Sequence, residues 1–335
     1  MIQLLYTEFA RARRRYYAGR PDVRRRLRAP VISVGNLTTG GSGKTPLVGA
    51  LARLLIEMGE RPAILSRGYA RRQPADGVVV VSDGTSIRSD LARAGDEPLM
   101  LAQSIEGAAV LVSPSRYLAG RLAEVRFGCS VHLLDDGFQH LELARDVDLL
   151  VTPPSDFDDL RTLPFGRFRE SIESAAAADA VFVPVDEGMT PEEMAGRLHV
   201  AQAFGFERTL DTPRLVEPPG VRVGATPSRA YAVAGIARPE RFFADLEKAG
   251  WQLTGTLRFR DHHRYSAGDV ADIARAAERS AADLVLTTEK DMVRLLPHRW
   301  AGPPLAWVPL RVTIEPACRP WLESRLARAR AGAPA

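Results

Sequence analysis

Gly35-Asn-Leu-Thr-Thr-Gly-Gly-Ser-Gly-Lys-Thr-Pro46 follows the apolar run Val31-Ile-Ser-Val34 and leads into a stretch rich in leucine and alanine. An apolar strand that breaks into glycines and then opens a helix is the pattern of a phosphate-binding loop. Glycine lets successive backbone N–H groups turn toward one anion, and the helix N-terminus adds the positive end of its dipole. Thr39, Gly40, Gly41, Ser42 and Gly43 are the expected cradle, Lys44 reaches the β and γ phosphates, and Thr45 offers its hydroxyl to Mg²⁺. Pro46 suits a first helical turn. The pattern G-x-x-x-x-G-K-[ST] fails at one place, because Thr38 stands where its first glycine should be. The lysine is itself a signal. The chain has 42 arginines and only three lysines, at 44, 248 and 290, and a compact ammonium suits a site between two phosphates better than a planar guanidinium does. ATP and Mg²⁺ are therefore the expected cofactors.

Outward from the loop, short apolar runs alternate with helical stretches: Ala63-Ile-Leu65, Ala109-Val-Leu-Val112, Val131-His-Leu-Leu134, Val147-Asp-Leu-Leu-Val151 and Ala180-Val-Phe-Val183. That rhythm predicts an α/β fold of the P-loop NTPase kind, a parallel sheet with helices on both faces and ligands at the strand C-termini. A second, smaller α/β set has strands near Tyr231-Ala-Val233, Asp283-Leu-Val-Leu286 and Leu305-Ala-Trp-Val308. The expected division is a basic amphipathic helix at 1–30, a P-loop core at 31–212, a Pro/Gly/Arg-rich linker at 213–229, and a smaller domain at 230–335 that closes the cleft and so keeps water from the phosphate. The tail after Ser324 reads as a frayed helix end.

Residues 1–30 hold nine arginines against Glu8 and Asp22, leaving 36 basic and 39 acidic residues in the remainder. Ile2, Leu5, Phe9, Ala12 and Tyr16 recur at steps of three and four and share one helix face, while Arg11, Arg14 and Arg15 point elsewhere. Two readings stand: an interfacial anchor on anionic lipid, or a basic helix packed on its own domain. The apolar run is too short to span a bilayer and has no signal-peptide cleavage site. At 335 residues and 45% hydrophobic composition, disorder is excluded and two domains are the default. Cys129 and Cys318 stand in no metal or redox spacing, which fits a reducing compartment.

Three further constellations carry chemistry. Val131-His-Leu-Leu-Asp-Asp-Gly-Phe-Gln-His140 is an apolar strand ending in two carboxylates; Asp135 suits the Mg²⁺-facing acid beside a phosphate loop, or both acids cap a following helix. Asp96 and Glu97 open an apolar helical run, where acids are also ordinary dipole partners. Asp261-His-His263 offers a histidine to polarise a carboxylate, with a zinc site or a core histidine as alternatives.

Taken in order, Gly35 to Pro46, Leu65-Ser-Arg-Gly-Tyr69, Gly95-Asp-Glu-Pro98, Ser113-Pro-Ser-Arg116, Leu134 to His140, Ala234-Gly-Ile236 with Pro239-Glu-Arg-Phe242, Asp261-His-His263 and Thr288-Glu-Lys-Asp291 resemble the tetraacyldisaccharide 4'-kinase family through nearly the whole chain. The resemblance implies ATP-dependent phosphorylation of the 4'-hydroxyl of a disaccharide 1-phosphate lipid by a monotopic enzyme on the cytoplasmic face of the bacterial inner membrane. It implies Asp96 as general base with a histidine of Asp261-His-His263 as partner, and Glu97 and Asp135 with Thr45 in the metal environment. His262 is preferred because it directly follows Asp261, although the sequence barely separates it from His263. Asn36, Tyr69, Arg116, Asp136, Gln139, His140 and Arg169 would bind the substrate head. The expected partners are the glycolipid and, through residues 1–30, the membrane surface, with no nucleic acid and no obligate protein. The chain departs from the family at Thr162-Leu-Pro-Phe-Gly-Arg-Phe-Arg-Glu170, where the usual reading is Leu-Leu-Pro-Ala-Gly-Pro-Leu-Arg-Glu. A Min-type positioning ATPase is the alternative, disfavoured because Thr39 occupies the place of its signature lysine. A GTPase is disfavoured by Leu134 and by the spacing of Thr288-Glu-Lys-Asp291.

Overall fold

The computed structural model of the chain describes residues 2–41, 43–69, 71–73, 76–223 and 229–332. Ser42 of the expected cradle and part of the expected linker therefore lie outside the described residues. After α1 (Ile2–Ala18), β1 (Val31–Gly35) is buried at all five positions, and α2 (Lys44–Glu57) starts from Gly43 at φ 86°. That left-handed backbone favours glycine. Leu47, Val48, Leu51, Ala52 and Leu55 form the buried stripe of α2, so packing holds the helix while its first turn carries Lys44 and Thr45.

The chain continues through β2 (Pro62–Ser66), β3 (Val79–Asp83), α3 (Leu91–Ala94), α4 (Asp96–Ser104), β4 (Ala109–Val112), α5 (Arg116–Phe127), β5 (Val131–Asp135), β6 (Val147–Val151), β7 (Ala180–Pro184), α6 (Pro191–Leu198) and β8 (Ala203–Leu210). Next come β9 (Arg214–Leu215), β10 (Arg229–Ala234), α7 (Pro239–Lys248), β11 (Gln252–Arg258), α8 (Ala267–Arg279), β12 (Leu284–Thr288), α9 (Glu289–Leu295), β13 (Leu305–Val308), β14 (Leu310–Ile314) and α10 (Cys318–Ala331).

The larger sheet runs β14-β8-β7-β6-β1-β5-β2-β4-β3, and β1 pairs in parallel with both β5 and β6. Strand order reverses at β1, so a crevice opens at its C-terminal end. Ala63 and Leu65 of β2 pack with Ala119 and Ala123 of α5, while Ile64 between them is also buried and points to the other face. Strands buried on both faces need helices on both, as the continuous apolar runs implied. The smaller sheet runs β11-β10-β12-β13-β9, parallel except for β13 with β9. The sequence reading passed over β3, β8, β9, β11 and β14. β3 lies antiparallel on β4 and so falls outside the βαβ rhythm, and β11 is polar and partly exposed along its length.

The compact units differ from the expected boundaries. One unit holds residues 1–94, 101–207 and the segment from 312 onward; the other holds 95–100 and 208–311. The last helix belongs to the first unit because Trp321 meets Phe204 at 5.3 Å between ring centroids, and Arg325 and Arg330 pair with Asp179 and Glu60. Leu326 is buried within it, so residues 325–331 form part of a packed helix and not a frayed end.

The first helix docks with its polar side inward. Thr7 bonds Thr162, Arg13 donates to the Gln139 carbonyl at 2.8 Å, and Arg14 pairs with Glu170 at 2.7 Å while lying over the Phe138 ring. Leu4, Leu5, Phe9 and Tyr16 are left 70%, 65%, 69% and 47% exposed. An amphipathic helix that packs on its domain normally buries its apolar face; this one does the reverse.

Candidate active site

The C-terminal edge of the larger sheet gathers most of the residues singled out in sequence. Gly35 ends β1 where a Cβ would stand 2.4 Å from the Phe138 Cβ and 2.8 Å from its backbone nitrogen. Only glycine lets the turn after β5 close on the end of β1, and this closure brings Asn36 to Gln139, whose Nε2 donates to the Asn36 carbonyl at 3.0 Å. Lys44 Nζ donates to Asn36 Oδ1 at 2.9 Å and lies 3.6 Å from Asp136 Oδ1. Arg169 Nη1 reaches both oxygens of Asp136 at 2.9 and 2.7 Å, and Gln139 Oε1 at 3.4 Å. Burial pushes the Asp136 carboxyl up, but the charges of Lys44 and Arg169 outweigh it and leave the group below its ordinary range.

Neither acid caps a helix. Asp136 has φ 56° and turns follow it, while Asp135 ends β5 in register with Val34 of β1 and is almost fully buried. Thr45 sits in the first turn of α2. Thr39, Gly40, Gly41 and Gly43 occupy the loop between, with Gly40 at φ 106°.

Two other expected head-group residues lie in a strongly basic setting. Arg116 is buried, its Nη1 makes one long bond of 3.4 Å to the Pro114 carbonyl, and its Nε has no partner. Burial and the nearby Arg67 lower its pKa to about 10. Burial, then Arg116, Arg145, Arg13 and Arg67, push His140 down to about 4, so it is neutral at ordinary pH. Tyr69 is 70% exposed.

Asp96 and Glu97 belong to the second unit, as do His262 and His263. His262 Nδ1 lies 2.9 Å from Asp96 Oδ2. Its Nε2 is 3.2 Å from Lys290 Nζ, and an ammonium has hydrogens but no lone pair to offer. Nε2 therefore accepts, which leaves the proton on Nδ1 to donate to Asp96. Lys290 also bonds Glu97 Oε1 at 2.9 Å and Asp261 at 3.3 Å. Glu97, expected near the metal, is thus a lysine partner. Burial raises the Asp96 carboxyl, but the His262 hydrogen bond, with the charges of Lys290 and Arg294, overcomes this and lowers it. His263 turns away: it stacks on Phe259 at 4.4 Å and meets Asp269 at 3.3 Å.

Sequence reasoning gave no role to the support beneath this pair. Arg294 Nε lies 3.6 Å from Asp96, and its Nη2 donates to Asp291 at 2.7 Å. Asp291, fully buried, accepts from Tyr265, Thr288 and the Gly235 backbone. The rarity of lysine, together with its place in the Thr288-Glu-Lys-Asp291 motif, was the signal that could have marked Lys290.

The family model described as tetraacyldisaccharide-1-P 4'-kinase matches residues 1–327. A protein named tetraacyldisaccharide 4'-kinase from Koribacter versatilis is 41% identical, with 82% of each chain covered. One of the same name from Desulfotalea psychrophila is 38% identical over 79% of this chain and 78% of its own. A crystal structure of LpxK from Aquifex aeolicus in complex with ATP is similar at a TM-score of 0.78 and 28% identity, over 98% of this chain and 96% of that one. The Pyrococcus furiosus cell division ATPase MinD reaches only 0.31, too low to support the Min-type alternative.

Proposed function

This chain belongs to the tetraacyldisaccharide-1-P 4'-kinase family, and on that premise we propose that it transfers the γ-phosphoryl group of ATP to the 4'-hydroxyl of a tetraacyldisaccharide 1-phosphate in lipid A synthesis. The sugar oxygen forms a bond to the γ phosphorus, the bond to the bridging oxygen of ADP breaks, and the hydroxyl proton passes to Asp96. The observation that carries this beyond a generic nucleotide site is the buried Asp96 carboxylate held by His262 at 2.9 Å.

A carboxylate with a lowered pKa is a weak base but is always in the protonation state needed. In phosphoryl transfer with a loose transition state the hydroxyl proton moves to the base late, so position and ionisation matter more than basicity. Lys44 and the backbone N–H groups of the loop would take the charge that spreads over the phosphate oxygens. The Thr45 hydroxyl and the buried Asp135 carboxylate are hard oxygen donors that fit Mg²⁺, which would supply further charge neutralisation. Arg116, with an unsatisfied buried Nε, suits an anionic head group. Neutral His140 suits a sugar hydroxyl, and Asn36, Asp136, Gln139, Arg169 and Tyr69 complete the proposed polar lining.

Membrane association rests on the exposed apolar side of α1 and its arginines; no helix among the described residues is long and apolar enough to cross a membrane. Peripheral attachment at the cytoplasmic face of the inner membrane follows from where ATP and a membrane-held acceptor meet. Incubation with γ-³²P-ATP and purified disaccharide 1-phosphate lipid should label the lipid at the 4' oxygen. Release of labelled phosphate alone would refute the proposal.

A further inference from the structure

The sequence departs from its two patterns at Thr38, where the phosphate-loop pattern has glycine, and at Arg167, where the family pattern has proline. Both positions meet on one buried carboxylate. The Thr38 hydroxyl donates to Asp156 Oδ2 at 2.6 Å and accepts from Asn36 Nδ2 at 3.0 Å. The other oxygen of Asp156 lies 3.2 Å from Arg167 Nη2, and the Asp156 side chain is 2% exposed. Arg167 in turn donates from Nε and Nη2 to the carbonyl of Thr39 at 3.1 and 2.9 Å. The main chains are tied as well: Thr39 N donates to the Arg167 carbonyl at 2.8 Å and Arg169 N to the Leu37 carbonyl at 2.6 Å.

The consequence follows from peptide geometry. In a trans peptide the carbonyl and the next N–H point in opposite directions, and the Thr39–Gly40 bond is not among the cis bonds. A guanidinium that holds the Thr39 carbonyl on its own side therefore aims the Gly40 N–H the other way. Arg167 Nη2 also stands 3.0 Å from where a Cβ of Gly40 would be, so the fork lies directly against the cradle. The Arg167 guanidinium beside Asp156 offsets a buried negative charge that would otherwise oppose an anionic ligand nearby. The run of contacts from Lys44 through Asn36, Thr38, Asp156 and Arg167 to Thr39 thus begins and ends in the same loop.

We propose that Thr38, Asp156 and Arg167 are positioning residues that set the Thr39–Gly40 peptide to receive the phosphates of ATP before the nucleotide arrives. This rests on the reading of Gly35 to Pro46 as the ATP site. A glycine at 38 could make neither hydroxyl bond. If the loop is otherwise populated in several shapes, apparent affinity falls in proportion to the competent fraction.

ATP dissociation constants by calorimetry and steady-state kinetics on the full chain test this. Thr38→Val and Arg167→Ala should each weaken ATP binding about tenfold, corresponding to about 1.4 kcal/mol, and raise KM for ATP more than they lower kcat. Thr38→Ser keeps the hydroxyl and should restore affinity. The double variant should lose little more than the worse single one, since both act through Asp156. Affinity within twofold of wild type in Thr38→Val, a loss in Thr38→Ser equal to that in Thr38→Val, or multiplied losses in the double variant would each overturn the proposal. A purely structural role would lower the melting temperature and leave ATP affinity alone. Should Arg167→Ala fail to fold, Thr38→Val, a hydroxyl-to-methyl change, carries the test. Lys44→Ala separates the two levels: if it binds ATP normally, the ATP-site reading itself fails and this proposal with it.

Discussion

The phosphate loop and the Asp96–His262 pair are built in opposite ways. The loop is one run of residues between β1 and α2, and its chemistry comes from backbone N–H groups, one ammonium and a hydroxyl. The acid–histidine pair is assembled from three separated stretches, 95–97, 261–263 and 288–294, and its chemistry lies in side chains resting on Arg294 and Asp291. A contiguous site survives changes to its surroundings if its own backbone can keep its shape; an assembled one depends on every segment that supports it.

Substitutions should separate the two. Asp96→Asn keeps the size and most hydrogen bonding but cannot take the sugar proton, so lipid phosphorylation should fall by about 10²–10⁴ with ATP binding retained. Near-normal transfer would remove Asp96 as the base. Lys44→Ala should cost about 10²–10³ in turnover and, unlike the first variant, should also weaken ATP binding; unchanged turnover would break the loop assignment.

His262→Ala removes a hydrogen bond to an ionised group, worth about 1.5–3 kcal/mol, or roughly 10- to 10²-fold in rate. The sign of the accompanying pH effect is fixed. His262 holds the Asp96 carboxyl down, so its loss lets that pKa rise, and the acidic limb of the pH–rate profile should move to higher pH. His263→Ala should lower thermal stability and leave the profile unmoved, because His263 packs against Phe259. A shift in the His263 variant and none in the His262 variant would reverse the assignment.

The smallest expected effect on chemistry, though not on localisation, concerns the helix surface. Leu5→Asp with Phe9→Asp alters only exposed side chains, whereas truncating residues 1–20 would also remove the Arg14–Glu170 pair. Each apolar side chain that enters the lipid interface contributes about 1.5–3 kcal/mol, so the double variant should leave anionic vesicles in co-sedimentation while phosphorylating detergent-dispersed lipid at a near-normal rate. Unchanged sedimentation would exclude this face as the anchor.

How much was legible in the sequence follows the same division. Strand, glycines, lysine and helix are local, and a parallel sheet buried on both faces writes itself as uninterrupted apolar runs, so the loop, the central strands and Asp135 could be read directly. Asp96, Glu97 and the two histidines were visible as motifs only, and their spacing barely distinguished His262 from His263. Tertiary structure decided that His262 meets Asp96 while His263 meets Asp269, that Lys290 takes Glu97, that residues 95–100 join the second unit, and that the last helix returns to the first. It also decided that α1 presents its apolar face outward. The reason is physical: periodicity and turn chemistry are set by neighbours within a few residues, whereas hydrogen-bond partners 166 or 193 residues apart are chosen only when the sheet order and the helix packing bring their backbones together.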